Sequence, residues 1–187
     1  IQNKMILQDD LIKKYKFDII KKYKYFEIIS NNRTYKIKTF NNFVIKNTIS
    51  IILLYFSILK KWPKIFTNKI YAKGRAEIVH EEKDVIIMVD YAHSADAFKN
   101  LLTSIPNSYK NKIVLYGCGG DRDITKRPKI AKTVSKYSSL QLITDDNPRN
   151  ENPKSIRDTL LRNSKNAISI ANREKAIKYG VKLIKKK

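Results

Sequence analysis

Downstream of Gly74 the chain alternates short apolar runs with stretches whose apolar positions recur every three or four residues. The runs are VIIMVDY, KIVLYGC, LQLITDD and AISI, and the periodic stretches fall at about 95–105, 126–137, 153–162 and 173–184. A continuous apolar run reads as a strand buried on both faces, and a 3.6-residue period as a helix packed on one side. Their alternation predicts βαβ units, an α/β fold with a Rossmann-like, mostly parallel sheet and helices on both faces. Ligands of such sheets gather beyond the carboxyl ends of the strands. The polar stretches that follow the runs are therefore where chemistry is expected.

Upstream of Gly74 the pattern is less regular. FDIIKKYKYFEII and RTYKIKT predict a pair of strands, followed by an apolar helix from Phe43 to Lys60. Trp62-Pro63 ends it, because the residue before a proline is pushed out of helical geometry. Only 13 residues separate Lys46 from Lys60. At 1.5 Å per residue they cannot cross ~30 Å of hydrocarbon, so a buried helix is expected and no membrane span.

The 187 residues suit one domain with a piece of another, and the first residue is Ile, so a fragment of a longer chain is expected. Apolar content of 42% and charged content of 30% fit a chain with a real core. The formal charge of +22 points first to nucleic acid. Its distribution argues otherwise: eight of the 39 basic residues are Arg, and the lysines run from Lys4 to Lys187 without clustering. A nucleic-acid surface would favour Arg and a recognisable platform, whereas scattered Lys with abundant Ile, Asn and Tyr matches the bias of an AT-rich coding sequence. Cys118 is alone, which excludes a disulfide framework or a thiolate metal cluster and makes the cytoplasm the expected compartment.

Three polar stretches follow the first three runs. In GCGGDRDITKRP, the glycines allow a sharp turn and close approach to the main chain, and Thr125 is placed to cap the next helix with Pro128 in its first turn. Arg122 there is either held by its flanking aspartates or free for a ligand. Neither GxGxxG nor GxxxxGK[ST] is present. In DYAHSAD, His93 can serve as acid, base or phosphate donor, and Asp90 either accepts from ribose hydroxyls or closes a turn. In DDNPRN, Pro148 fixes the turn and Arg149 presents a planar fork suited to a carboxylate. An internal Asp–Arg pair across the turn is the alternative. All three stretches are expected on one edge of the sheet.

In order, GRAE, VDYAHSADA, GCGGDRDITKRP, TDDNPRNENP and NREKAI are similar to the C-terminal domain of the Mur ligases, over about residues 40 to 185. The type most closely resembled adds meso-diaminopimelate to the UDP-N-acetylmuramoyl dipeptide in peptidoglycan synthesis. The resemblance implies that residues 1–72 are the tail of the central ATP-binding domain and that 73–187 form the C-terminal domain. It further implies that Arg122, Asp146, Asn147, Pro148 and Arg149 hold diaminopimelate. Asn47, Arg75, Asp90 and His93 would belong to the ATP site.

ATP and Mg2+ are the implied cofactors, with the P-loop and the metal ligands in the central-domain part outside this stretch. The family's GKGHE segment would follow VKLIKKK, and Ala76, Ala95 and Val44 depart from its usual Met, Pro and Asn. Catalysis by these residues alone is not expected. The rival readings are a non-catalytic remnant and, less favoured, a basic nucleic-acid-binding module.

Overall fold

A computed structural model describes residues 13–21, 26–30, 32–37, 42–64 and 73–184. The chain divides into two compact units, Ile1–His80 with Ile86–Tyr91, and Glu81–Val85 with Ala92–Lys187.

In the first unit three strands, β1 (Asp18–Lys21), β2 (Phe26–Ser30) and β3 (Arg33–Ile37), form an antiparallel sheet in the order β1-β2-β3. FDIIKKYKYFEII thus supplies two strands where one was expected. Helix α1 (Asn42–Leu59) covers the sheet with Ile45, Ile49 and Ile52, spaced one turn apart, against Phe17, Ile28, Tyr35 and Ile37. It ends at Lys60, which takes a left-handed φ of 52° ahead of Pro63, and the Lys60 N–H donates to Phe56 O at 2.8 Å. The expectation of a buried helix is corrected. Ile51, Leu54, Tyr55, Ile58 and Leu59 are 40–67% exposed, because a three-stranded sheet offers one face and the apolar side of α1 is wider than that face.

The second unit is built on β6 (Ile113–Tyr116), β7 (Leu140–Ile143) and β8 (Ala167–Ser169), a parallel sheet in the order β6-β7-β8. Four helices belong to the same stretch: α2 (Ala95–Ser104), α3 (Lys126–Tyr137), α4 (Pro153–Arg162) and α5 (Arg173–Ile184). Side chains on β7 alternate between faces. Gln141 points to α3, where its amide donates to Ser135 Oγ at 2.7 Å, and Ile143 joins Ile130, Ala131, Val134 and Leu160 in the core. Leu142 points to α5, where a Cβ at Gly180 would stand 3.1 Å from its Cδ1. Helices therefore cover both faces, as the alternation of runs predicts.

One expected strand lies elsewhere. VIIMV forms β5 (Val85–Val89), which joins β4 (Glu77–Glu82) in a separate two-stranded sheet rather than the parallel one. The two-residue connection, with Lys83 at φ 39°, folds the chain back locally. The half-buried pattern of β5 fits that hairpin rather than a doubly covered strand.

Leu142 is fully buried on the central strand. Leu142→Ala is expected to lower stability by about 2–5 kcal/mol in urea unfolding, and Leu161→Ala, at 36% exposure, by clearly less. Equal losses would show that β7 is not the centre of the core.

Candidate functional site

Tyr116 and Ile143 are register partners at the ends of β6 and β7, so the loops after them leave the same edge side by side. The first residues of the β7 loop are pinned. Thr144 N–H donates to Tyr116 O at 3.0 Å, and Asp145 N–H to Ala171 O at 3.0 Å. Beyond them the two loops close onto each other. Gly120 N–H donates to Asn147 O at 2.9 Å, and Arg149 Nη1 donates to Gly120 O at 2.7 Å. At Gly120 the approach admits no side chain, since a Cβ would lie 1.8 Å from Pro148 O; at Gly119 a Cβ would stand 2.9 Å from Arg149 Nη1.

Arg149 is held in an uncommon shape. Its φ is 49°, and its N–H donates to Asn147 Oδ1 at 3.2 Å in an Asx-type turn. Pro148 O accepts from Glu151 N–H at 3.0 Å, closing the turn, and Asp146 Oδ1 accepts from Asn147 N–H at 2.9 Å. Asn147, Asp146 and Pro148 therefore shape the loop. The Arg149 side chain is exposed and, among the described residues, makes no ion pair; one arm is anchored on a carbonyl. The internal Asp–Arg pair across the turn is not formed. Asp145 pairs with Arg157 on α4, and Asp146 lies 3.7 Å from Arg173 on α5.

Behind the loops sits a charged brace. Arg127, 5% exposed, donates through both arms to Glu151 at 2.7 and 2.8 Å, and Nη2 also reaches Gly119 O at 3.2 Å. Glu151 Oε1 accepts from Asp121 N–H at 2.7 Å, while Asp121 Oδ2 accepts from the Asn150 side chain at 2.8 Å. The Arg127 guanidinium, with the Asp121 amide, holds the Glu151 carboxyl down to about 2. Burial instead pushes the Cys118 thiol up to about 11, so it stays protonated at neutral pH. The crevice between Cys118, Thr144, Asp145 and Ile156 is too tight for a water molecule.

The sequence reading misses Arg127 and Glu151. A signal was present: Arg127 continues the stripe Ile130, Ala131, Val134 that α3 buries, and an arginine on a buried stripe needs an acid. The expectation that Thr125 caps α3 is corrected. Its hydroxyl donates to Asp123 Oδ1 at 2.6 Å and its N–H to the same oxygen at 2.9 Å, so Asp123 organises the turn. Arg122 is exposed, and among the described residues neither flanking aspartate pairs with it.

Of the three polar stretches, the second and third meet as described, whereas the first is divided between the two units after Tyr91. Asp90 and Arg75 fall in the first unit. Asp90 Oδ2 accepts from Ala76 N–H, 14 residues earlier, at 2.7 Å, and the Arg75 guanidinium stands 4.6 Å from the Tyr91 ring centroid. Asn47 is exposed on α1 of the same unit, and His93 is exposed in the second. Among the described residues no three His, Cys, Asp or Glu side chains are grouped to hold a metal ion, and no helix is long and apolar enough to cross a membrane.

Residues 74–187 match the family model described as Mur ligase, glutamate ligase domain. This chain belongs to the Mur ligases. The UDP-N-acetylmuramoyl-L-alanyl-D-glutamate--2,6-diaminopimelate ligase of Listeria monocytogenes is 36% identical over 157 residues, covering 80% of this chain and 32% of the relative. This Mur ligase chain thus spans about a third of that relative's length. A solved structure of a ligase with the same name superposes with a TM-score of 0.54 at 23% identity, over 87% of this chain and 36% of that one. A bifunctional folylpolyglutamate synthase/dihydrofolate synthase with Mn, AMPPNP and L-glutamate bound shares the fold, with a TM-score of 0.56 at 13% identity, over 93% and 44% of the two chains.

The depressed Glu151 carboxyl predicts an acid limb of stability. Its contribution is complete above the ordinary value of 4.5 and is lost as pH falls from there through about 2. An NMR carboxyl titration is expected to place Glu151 well below 4, and Glu151→Gln to flatten stability against pH in that window. Titration at 4.5 would mean that the brace is not formed.

Proposed function

We propose that this chain is the amino-acid-binding, C-terminal part of an ATP-dependent ligase that joins meso-diaminopimelate to UDP-N-acetylmuramoyl-L-alanyl-D-glutamate, in the cytoplasmic stage of peptidoglycan precursor synthesis. The observation that carries the reading is the Arg149 fork: anchored by one arm, exposed, and without an acidic partner among the described residues, at the carboxyl end of a parallel sheet. Diaminopimelate differs from lysine by a second carboxylate on its far centre. A planar guanidinium can grip that group with two hydrogen bonds, and a lysine substrate would leave the fork unmatched. One residue then attracts one amino acid and disfavours the other.

In this reading Arg149 holds the distal carboxylate and the loop shaped by Asp146, Asn147 and Pro148 sets its angle. Arg122, on the facing loop, is a second cation for the same amino acid. Residues 1–72 are the tail of the central domain and 73–187 the C-terminal domain, with Asn47, Arg75, Asp90 and His93 at the nucleotide. The D-glutamyl carboxylate becomes an acyl phosphate with ATP as phosphoryl donor, and the amine that Arg149 has oriented attacks it. In the same reading Mg2+ and the phosphate-binding loop are assigned to the part of the central domain that precedes residues 1–72.

The test is a ligase assay on the full-length gene product with diaminopimelate or lysine. Wild type is expected to prefer diaminopimelate, and Arg149→Ala to lower kcat/KM for it by about 10- to 100-fold, the worth of a charged hydrogen-bonded contact, while barely changing lysine use. Preference for lysine, or an unchanged Arg149→Ala enzyme, would overturn the reading.

A further inference from the structure

The carbonyls of Gly119 and Gly120 are consecutive, and each is held by a different arginine. Gly119 O accepts from Arg127 Nη2 at 3.2 Å, and Gly120 O from Arg149 Nη1 at 2.7 Å. The first arginine is buried and paired with an acid; the second is exposed and is not. Glu151 joins the two systems. It lies two residues after Arg149 on the same turn, takes both arms of Arg127, and accepts the Asp121 N–H of the opposite loop at 2.7 Å. A shift of Glu151 moves the turn that keeps Arg149 at φ 49° and, through the Asp121 N–H, the Gly120–Asp121 peptide whose carbonyl the Arg149 fork rests on; a shift of Arg127 moves the adjoining Gly119–Gly120 peptide.

We propose that Arg127 and Glu151 are positioning residues that fix the direction of the Arg149 fork, and through it the choice between a diamino dicarboxylic and a diamino monocarboxylic acid. This rests on the reading of Arg149 given above. Two-point recognition of a carboxylate survives displacement of only about 0.5 Å or 10–20°. An arginine tethered by a single hydrogen bond keeps that precision only if its tether is fixed. A buried ion pair is weak evidence for stability, because apolar replacements of similar size often do as well. Its value here is geometric, since apolar residues could fill the same space but could not hold Gly119 O and the Asp121 amide at once.

Gly119 supplies a way to move the fork alone. A Cβ there would stand 2.9 Å from Arg149 Nη1, the far end of a flexible side chain, and 3.5 Å from Asn147 O, an ordinary contact. Gly119→Ala therefore displaces the guanidinium and spares the backbone.

The test measures binding of meso-diaminopimelate and of L-lysine to the full-length gene product by calorimetry, with thermal unfolding alongside, for wild type, Gly119→Ala, Arg127→Lys, Glu151→Gln and Val134→Ala. Val134→Ala lowers stability in the core away from the loops. The preference for diaminopimelate is expected to fall at least fivefold in the three loop variants, including Gly119→Ala with its unfolding temperature unchanged, and to stay at the wild-type value in Val134→Ala. A preference that survives in Gly119→Ala and Arg127→Lys, or that falls equally in Val134→Ala, would overturn the positioning role and leave the reading of Arg149 standing. A wild-type chain without preference would overturn both.

Discussion

The edge that carries Arg149 depends on two loops being closer than side chains normally permit. They follow neighbouring parallel strands, and they meet where Gly120 lies against the carbonyl of Pro148. Close backbone approach buries amides and carbonyls that must find partners. Those partners are supplied across the gap, by Asn147 O for the Gly120 amide and by Arg149 for the Gly120 carbonyl. Arg127 and Glu151 then lock the pair from behind, each satisfying main-chain groups of the glycine loop as well as the other. Without Gly120 the loops could not touch, and the ion pair adds a lock from behind to the hydrogen bonds across the gap.

This arrangement explains why a buried strand ends in charge. Leu140 to Ile143 provide a stiff platform, and the charges that follow have separate tasks. Asp145 ties the loop to α4 through Arg157, and Asp146 faces Arg173. The acids of the Arg149 turn, Asp145, Asp146 and Glu151, are thereby engaged with Arg157, Arg173 and Arg127, which leaves the Arg149 cation available at the surface. A binding site for an anionic group needs such a division, because an arginine already neutralised by its own loop would have little to offer a ligand.

Much of the second unit was legible in the sequence. The helices 126–137, 153–162 and 173–184 have the bounds that their periodicity predicts, and Asn152 and Asn172 cap the last two in a recognisable way. The loops carrying Arg122 and Arg149 could be found because strand ends are visible as the end of an apolar run. Sheet membership was less visible: VIIMV looks like a core strand, but its partner is decided by a two-residue turn nearby. The exposed side of α1 was hidden for a related reason, since an apolar helix reads as buried whatever the size of the sheet beneath it. Arg127 and Glu151, 24 residues apart, each look like ordinary surface charge in a lysine-rich chain, and only the folded loops bring them together.

This edge is built in the ligand-free chain. Amide hydrogen exchange on the ligand-free chain tests it most directly, at Gly120, Asp121 and Glu151, whose N–H groups cross or close the two loops. All three are expected to exchange slowly, and Glu151→Gln to speed all three while the amides of β7 keep their protection. Exchange of the three at open-chain rates in the wild type, with β7 protected, would contradict it.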